Sequence, residues 1–276
     1  MDAPCFPAPA RRALVGAAVT TLGFFDASDL RAQAPPPRGP ALTSRDLLTL
    51  GVATAAAGVL VPFDARIARW SQQPTLRRSR TVNAVAAAAR TFGDPGTVVL
   101  GGATYGVGLL ADRRATAAVG LHALGAVAAG GVVTGVIKSA VGRARPFVTH
   151  DSAAFDLGFG RGLRRGNDYQ SFPSGHATAA FAFASALAAE GRHRWSSLNR
   201  TTGPAGFAVA GLVAASRVYH DRHWASDVVA GAGIGTVAGA AVVRYTRSHP
   251  RNAVERRLLP GRSVAPAPVV SWTVRF

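Results

Sequence analysis

Six stretches of the chain carry no Asp, Glu, Lys or Arg, and charged residues gather between them. The stretches are residues 47–63, 97–111, 115–137, 174–189, 203–215 and 228–243. Crossing a bilayer as a helix takes roughly 17–25 residues. The 115–137 run meets that unaided, and the others lengthen toward it once flanking turns are counted. The pattern predicts an all-α, membrane-embedded bundle of about six helices; a soluble all-helical fold with buried helices is the alternative it leaves open. Ala, Gly and Val supply much of the apolar content, so the helices are expected to be slim and closely packed. Gly231, Gly235 and Gly239 recur in four-residue steps, a spacing that suits close helix contact in membranes better than a dinucleotide fingerprint.

The remaining segments are mixed. In residues 64–96, Ile67 and Trp70 stand among Arg66 and Arg69, as on an amphipathic surface helix. Residues 82–89 are helical in character, and Gly93-Asp94-Pro95-Gly96 reads as a turn. Residues 1–45 resemble a leader followed by a Pro-rich linker. Arg11-Arg12 precede an apolar run at 13–25, and Ala32-Gln33-Ala34 offers a cleavage pattern, against which Asp26, Asp29 and Arg31 intervene. The expected organisation is therefore this leader and linker, a helical core over 46–245, and a basic tail over 246–276. The last eight residues alternate and end in Phe276 like an outer-membrane strand, but one strand closes no barrel.

Charge sharpens the picture. The formal charge is +17, with 48% hydrophobic and only 16% charged residues. The arginines sit at the ends of apolar runs and form no stripe with interleaved aromatics, so nucleic acid is not expected as a partner and an anionic bilayer is. If the chain starts in the cytoplasm, the basic clusters at 112–114, 192–200 and from 244 onward all fall inside. The loops 138–173 and 216–227 then share the opposite side. Arg77, Arg78, Arg80 and the Arg-rich run at 161–165 depart from that scheme, and a cleaved leader would invert it. Cys5 is the one cysteine, which excludes a disulfide framework and a Cys-based metal site. Of 31 basic residues only Lys138 is lysine, a compact ammonium in a chain that otherwise uses guanidinium.

Three polar clusters stand at the ends of apolar runs. Lys138 closes one run and is followed by Arg143, Arg145 and Pro146. Lys138 and Arg145 are two helical turns apart, and Pro146 turns the chain away. Such cations could snorkel to headgroups or grip a phosphate. Phe172-Pro173-Ser174-Gly175-His176 opens the next run. Ser174 suits an N-cap, Gly175 admits a close ligand, and the first amides of a helix favour an anion. Ser216-Arg217 precede His223 by several residues, and Asp227 follows one helical turn later, within reach of the ring. A carboxylate on one imidazole nitrogen would fix the tautomer and make the other a better nucleophile.

Lys138-(six residues)-Arg145-Pro146, then Pro173-Ser174-Gly175-His176, then Ser216-Arg217-(five residues)-His223-(three residues)-Asp227 resembles the type 2 phosphatidic acid phosphatase superfamily, which also holds soluble bacterial acid phosphatases and vanadium haloperoxidases. The resemblance implies a helical core with its catalytic loops at one end. It implies His223 as the phosphohistidine, Asp227 as its orienting partner and His176 as general acid, with Lys138, Arg145, Ser174, Gly175 and Arg217 lining the phosphate pocket. No metal or other cofactor is implied. The expected activity is hydrolysis of a lipid phosphate or diphosphate in a bacterial inner membrane, from the periplasmic side. A soluble periplasmic acid phosphatase or phosphotransferase, a haloperoxidase, and a non-catalytic membrane phosphate-binding or transport module are the competing readings. His122, His150, His193 and His249 are expected to be polar or interfacial residues, and His220 lies outside the matched positions.

Overall fold

The structure, a computed structural model, describes residues 40, 42–150, 154–249 and 252–259; the leader-like segment and most of the basic tail lie outside them. Among the described residues every regular element is a helix. In chain order these are α1 (Ser44–Leu60), α2 (Asp64–Ser71), α3 (Pro74–Arg77), α4 (Arg80–Thr91), α5 (Thr97–Leu110), α6 (Arg114–Val141), α7 (Pro146–Thr149), α8 (Arg161–Arg165), α9 (Gly175–Arg194), α10 (Ser196–Tyr219), α11 (Ala225–Ser248) and α12 (Ala253–Leu258). All six apolar runs have become helices.

Local sequence fixes where they begin and end. Thr43 and Asp46 start α1 with a reciprocal capping box, the Thr43 amide donating to Asp46 Oδ2 at 2.6 Å. Gly142 closes α6 in the left-handed region at φ 57°, and a Cβ there would collide with the Gly158 carbonyl. One expectation fails at Gly93-Asp94-Pro95-Gly96. There the chain does not turn but continues from α4 into α5 through one wide π-helical turn, Phe92–Gly96. Proline lacks an amide proton and its ring crowds the preceding carbonyl; a widened turn absorbs both without breaking the helix.

Helix α9 is the hub, packed against α6, α10 and α11. Its Ala182, Ala186 and Ala189 meet Ala123 and Ala126 of α6 and Val243 of α11, while Ala180 and Ala184 meet Ala210 and Val213 of α10. Side chains this small let backbones touch. At Gly231, Gly235 and Gly239 of α11, a Cβ would run into the backbone of α9 at Ser174, Thr178 and Ala182 respectively. The glycine stripe therefore sets the α9–α11 approach, as its spacing suggested.

An ion pair and a hydrogen bond fix the direction of α1 and α2 against α11. Asp46 meets Arg244 at one end, and Asp64 accepts from the Ser226 amide at 2.9 Å at the other. Three helical segments, Ser44–Ser71, Arg114–Thr149 and Ala225–Ser248, are long and apolar enough to cross a membrane, and Thr97–Leu110 is a shorter apolar helix. The protein is a membrane bundle. Helices α9 and α10 fall outside that set, and for α9 the reason is position: enclosed by three neighbours, it needs little lipid-facing surface. Helix α11 runs on to Ser248, past the expected core boundary, and α12 follows it with Glu255 buried.

Overpacking the α9–α11 seam tests this account. Gly235→Val should cost about 1–3 kcal/mol, read as a lower thermal midpoint in detergent, whereas Gly51→Val, which meets nothing within 4 Å, should leave the midpoint unchanged.

Candidate active site

The end of α6, the start of α9, the end of α10 and the start of α11 meet at one end of the bundle, and every expected site residue lies there. The Ser174 amide donates to the Asp227 carbonyl at 3.0 Å, joining the first turns of α9 and α11. The Ser174 hydroxyl caps α9, accepting from the Ala177 amide at 3.4 Å. A Cβ on Gly175 would sit 3.7 Å from Lys138 Cε, so the lysine reaches across from α6 to the Gly175 backbone. Arg217, His223, Lys138 and Arg145 all act electrostatically on His176, and Arg145, Asp227 and Arg217 act on Lys138. The two imidazoles thus share one charged neighbourhood.

The cations are aimed by backbone and amide oxygens. Lys138 Nζ donates to the Gln170 carbonyl at 2.5 Å. Arg145 donates to the Asn167 carbonyl at 2.8 Å and to its side-chain oxygen at 2.5 Å. Neutral acceptors hold these groups in place without cancelling their charge, which stays available to an anion. Arg217 is buried near them, on the last turn of α10.

His223 is almost fully buried, and two acceptors stand near its Nδ1. Nδ1 lies 2.8 Å from the Ser171 carbonyl and 3.6 Å from Asp227 Oδ2. A carbonyl can only accept, so Nδ1 carries the proton and the lone pair is on Nε2. The carbonyl, not the carboxylate, makes the shorter contact. Asp227 instead accepts from the Ser171 hydroxyl at 2.5 Å, the Trp224 amide at 2.9 Å and Arg143 at 2.6 Å. It holds the residue that holds the histidine. Burial pushes the His223 imidazole down to about 4, against the opposing pull of Asp227. At neutral pH the ring is therefore neutral, the form a nucleophile needs.

Several residues of this site were not assigned from sequence. Arg143 is buried and donates to Asp64 Oδ2 at 2.7 Å, to Ser226 Oγ at 2.7 Å and to the Ala154 carbonyl, besides Asp227. Asp64 also accepts from the Ser226 hydroxyl. Arg143 was visible two residues before Arg145, yet spacing alone could not tell a structural cation from a ligand-binding one. Asp64 lies in the segment read as a surface helix; its helix instead buries Asp64, Ala68 and Ser71 and leaves Trp70 exposed.

His122, His220 and His249 are held by contacts of their own. His220 contacts the Ser216 carbonyl at 2.6 Å, and His249 stacks on Tyr245. His122 is not interfacial: it is buried between Glu190 at 2.7 Å and Glu255 at 2.9 Å. Among the described residues no group of three or more His, Cys, Asp or Glu side chains is arranged to hold a metal ion.

Lys138, Arg145, Arg217 and the two histidines thus gather at one end of a helical bundle. Residues 119–251 match the PAP2 superfamily. The matched region contains every site residue expected from the sequence. A lipid A 1-phosphatase of Porphyromonas gingivalis is 41% identical over 83 residues, which are 29% of this chain and 17% of that protein. The chain thus aligns with less than a fifth of that relative's length. The crystal structure of a transmembrane PAP2-type phosphatidylglycerolphosphate phosphatase from Bacillus subtilis superposes with a TM-score of 0.53 at 22% identity, covering 72% of this chain and 92% of the other. That likeness establishes the fold.

Removing the cation between two buried carboxylates should be expensive. Arg143→Met should lower stability by about 3–5 kcal/mol, measured by denaturation in detergent. A variant as stable as the parent would show that Asp64 and Asp227 do not need it.

Proposed function

We propose that this chain is a metal-independent phosphatase that hydrolyses a lipid phosphate or diphosphate through a phosphohistidine on His223. The observation that carries the reading is the commitment of His223 Nδ1 to the Ser171 carbonyl, which leaves a neutral ring with its lone pair on Nε2. The lipid phosphatases named in the comparisons support the substrate class.

In the proposed reaction Lys138, Arg145 and Arg217 bind the non-bridging phosphoryl oxygens and neutralise the charge that builds on them, helped by the first amides of α9. Nε2 of His223 attacks phosphorus in line as the bond to the ester oxygen breaks. His176 passes a proton to the departing alkoxide, or to the departing phosphate of a diphosphate. The incoming phosphate anion offsets the cations around His176 and so lets it carry that proton. Water then attacks the phosphohistidine, His176 takes a proton from it, and the N–P bond breaks to release inorganic phosphate and restore His223. A bacterial inner membrane with the pocket on the periplasmic face fits the basic clusters at the opposite helix ends.

His223→Ala should abolish phosphate release from a lipid panel in detergent with chelator present, while the protein remains folded in membranes. Unchanged turnover by that variant would end the proposal. The acid limb of kcat/KM should fall near pH 4, where free His223 becomes protonated, rather than near the ordinary imidazole value of about 6.5. A limb that stays at the ordinary value would remove His223 as the group that must be neutral.

A further inference from the structure

Residues 155–165 form an excursion between Arg145 and Asn167 whose side chains the chemistry above does not use. Phe155, Leu157, Phe159 and Leu163 project from it, Phe159 87% exposed and Leu163 75% exposed. Arg164 and Arg165 are exposed beside them. Large apolar side chains are not normally left in water at such density.

The excursion is firmly built. Its Gly158 and Gly160 amides donate to the Val141 and Ala140 carbonyls at 3.3 and 2.7 Å. Arg161 clamps the Gly142 carbonyl with two bonds, at 3.0 and 2.8 Å, and pairs with Asp156 at 2.7 Å. Gly162 lies so close to Lys138 that a Cβ would strike the Lys138 carbonyl. The strip is therefore tied to the C-terminal end of α6, a helix that can cross the membrane and whose last turns expose Val132, Val133 and Val136. That places it level with the bilayer edge. Its far side supplies Asn167 and Gln170, which hold Arg145 and Lys138.

We propose that residues 155–165 form a shelf that rests on an anionic lipid surface beside the pocket and presents membrane-held phosphate esters to it. Phe155, Leu157, Phe159 and Leu163 enter the acyl boundary, and Arg164 and Arg165 meet lipid phosphates, the combination that seats interfacial segments. Charge complementarity and continuity with α6 single out lipid as the occupant. The Arg-rich run that breaks the charge asymmetry of the loops then has a use on its own side. The kinetic consequence rests on the lipid phosphatase reading; the contact itself does not.

The test has two arms. In the first, Cys5, the one cysteine, is changed to Ser, and Phe159→Cys carries an environment-sensitive fluorophore in vesicles of phosphatidylcholine and phosphatidylglycerol. The expected result is blue-shifted emission quenched by spin-labelled lipid; emission typical of water and unquenched would overturn the shelf. In the second, the Phe159→Asp/Leu163→Asp variant acts on phosphatidic acid in those vesicles and on p-nitrophenyl phosphate in solution. The lipid KM should rise about tenfold or more while the soluble ester is turned over as by the parent. Equal loss on both substrates, or loss on neither, would overturn the proposal. A parent inactive on both would instead sink the phosphatase reading, and the fluorescence arm would still decide the shelf.

Discussion

The Asp227 carboxylate is the point on which this end of the molecule turns. It is buried, yet it receives Arg143, the Ser171 hydroxyl and the Trp224 amide, while its own backbone carbonyl receives the Ser174 amide. One residue thereby binds the segment after α6, the loop before α9 and the first turn of α11. A buried carboxylate is costly unless its charge is matched and its lone pairs are filled. That requirement fixes Arg143, and Arg143 in turn needs Asp64 on α2. The chain of obligations is geometric before it is catalytic. It sets where the Ser171 carbonyl points, and the carbonyl sets which nitrogen of His223 is bare.

This explains what could and could not be read along the chain. Lys138, Arg145, Ser174, Gly175, His176, Arg217, His223 and Asp227 were legible because they stand at helix ends in fixed local spacings, and the fold brings them to one end. The helical runs and the glycine stripe were legible through composition and period. The Asp227–His223 approach is there at 3.6 Å, but the shorter contact of the same nitrogen was not legible. A spacing of four places two side chains on one face but does not say which acceptor is nearer, and a carbonyl from 52 positions away is nearer. Asp64 was illegible for the same reason: its partner lies 162 positions on. Local pattern shows what a residue can do, and only the tertiary fold shows whom it meets.

The opposite end of the bundle repeats the same solution with different residues. His122 on α6 touches Glu190 on α9 and Glu255 on α12, and Arg194 donates to Glu190 at 2.6 Å. A neutral imidazole has one proton to offer, so carboxylates on both nitrogens call for an imidazolium or a shared proton. This cluster ties α12 to the bundle and locks the register of α6 against α9 far from the pocket. Between the two polar ends, the Thr134 hydroxyl donates to the Thr178 hydroxyl at 3.0 Å. Otherwise the contact of α6 with α9 is built largely on alanine. Small side chains supply closeness but little register of their own, since alanine fits against alanine at many offsets. The polar knots at both ends supply what the alanines cannot.

That division of labour bears on how a bundle of apolar helices can keep a buried charged site accurate. In a soluble core, large interdigitating side chains would hold the loops. Here the core is thin, and the pocket is held by hydrogen bonds from above: Asn167 on Arg145, Gln170 on Lys138, Ser171 on His223. Four accepting oxygens come from residues 167–171, a single short stretch anchored to α6 at one side and running into α9 at the other. Any force on that stretch reaches Arg145, Lys138 and His223 together. A surface strip continuous with it is therefore the place where contact with a bilayer would be felt by the chemistry.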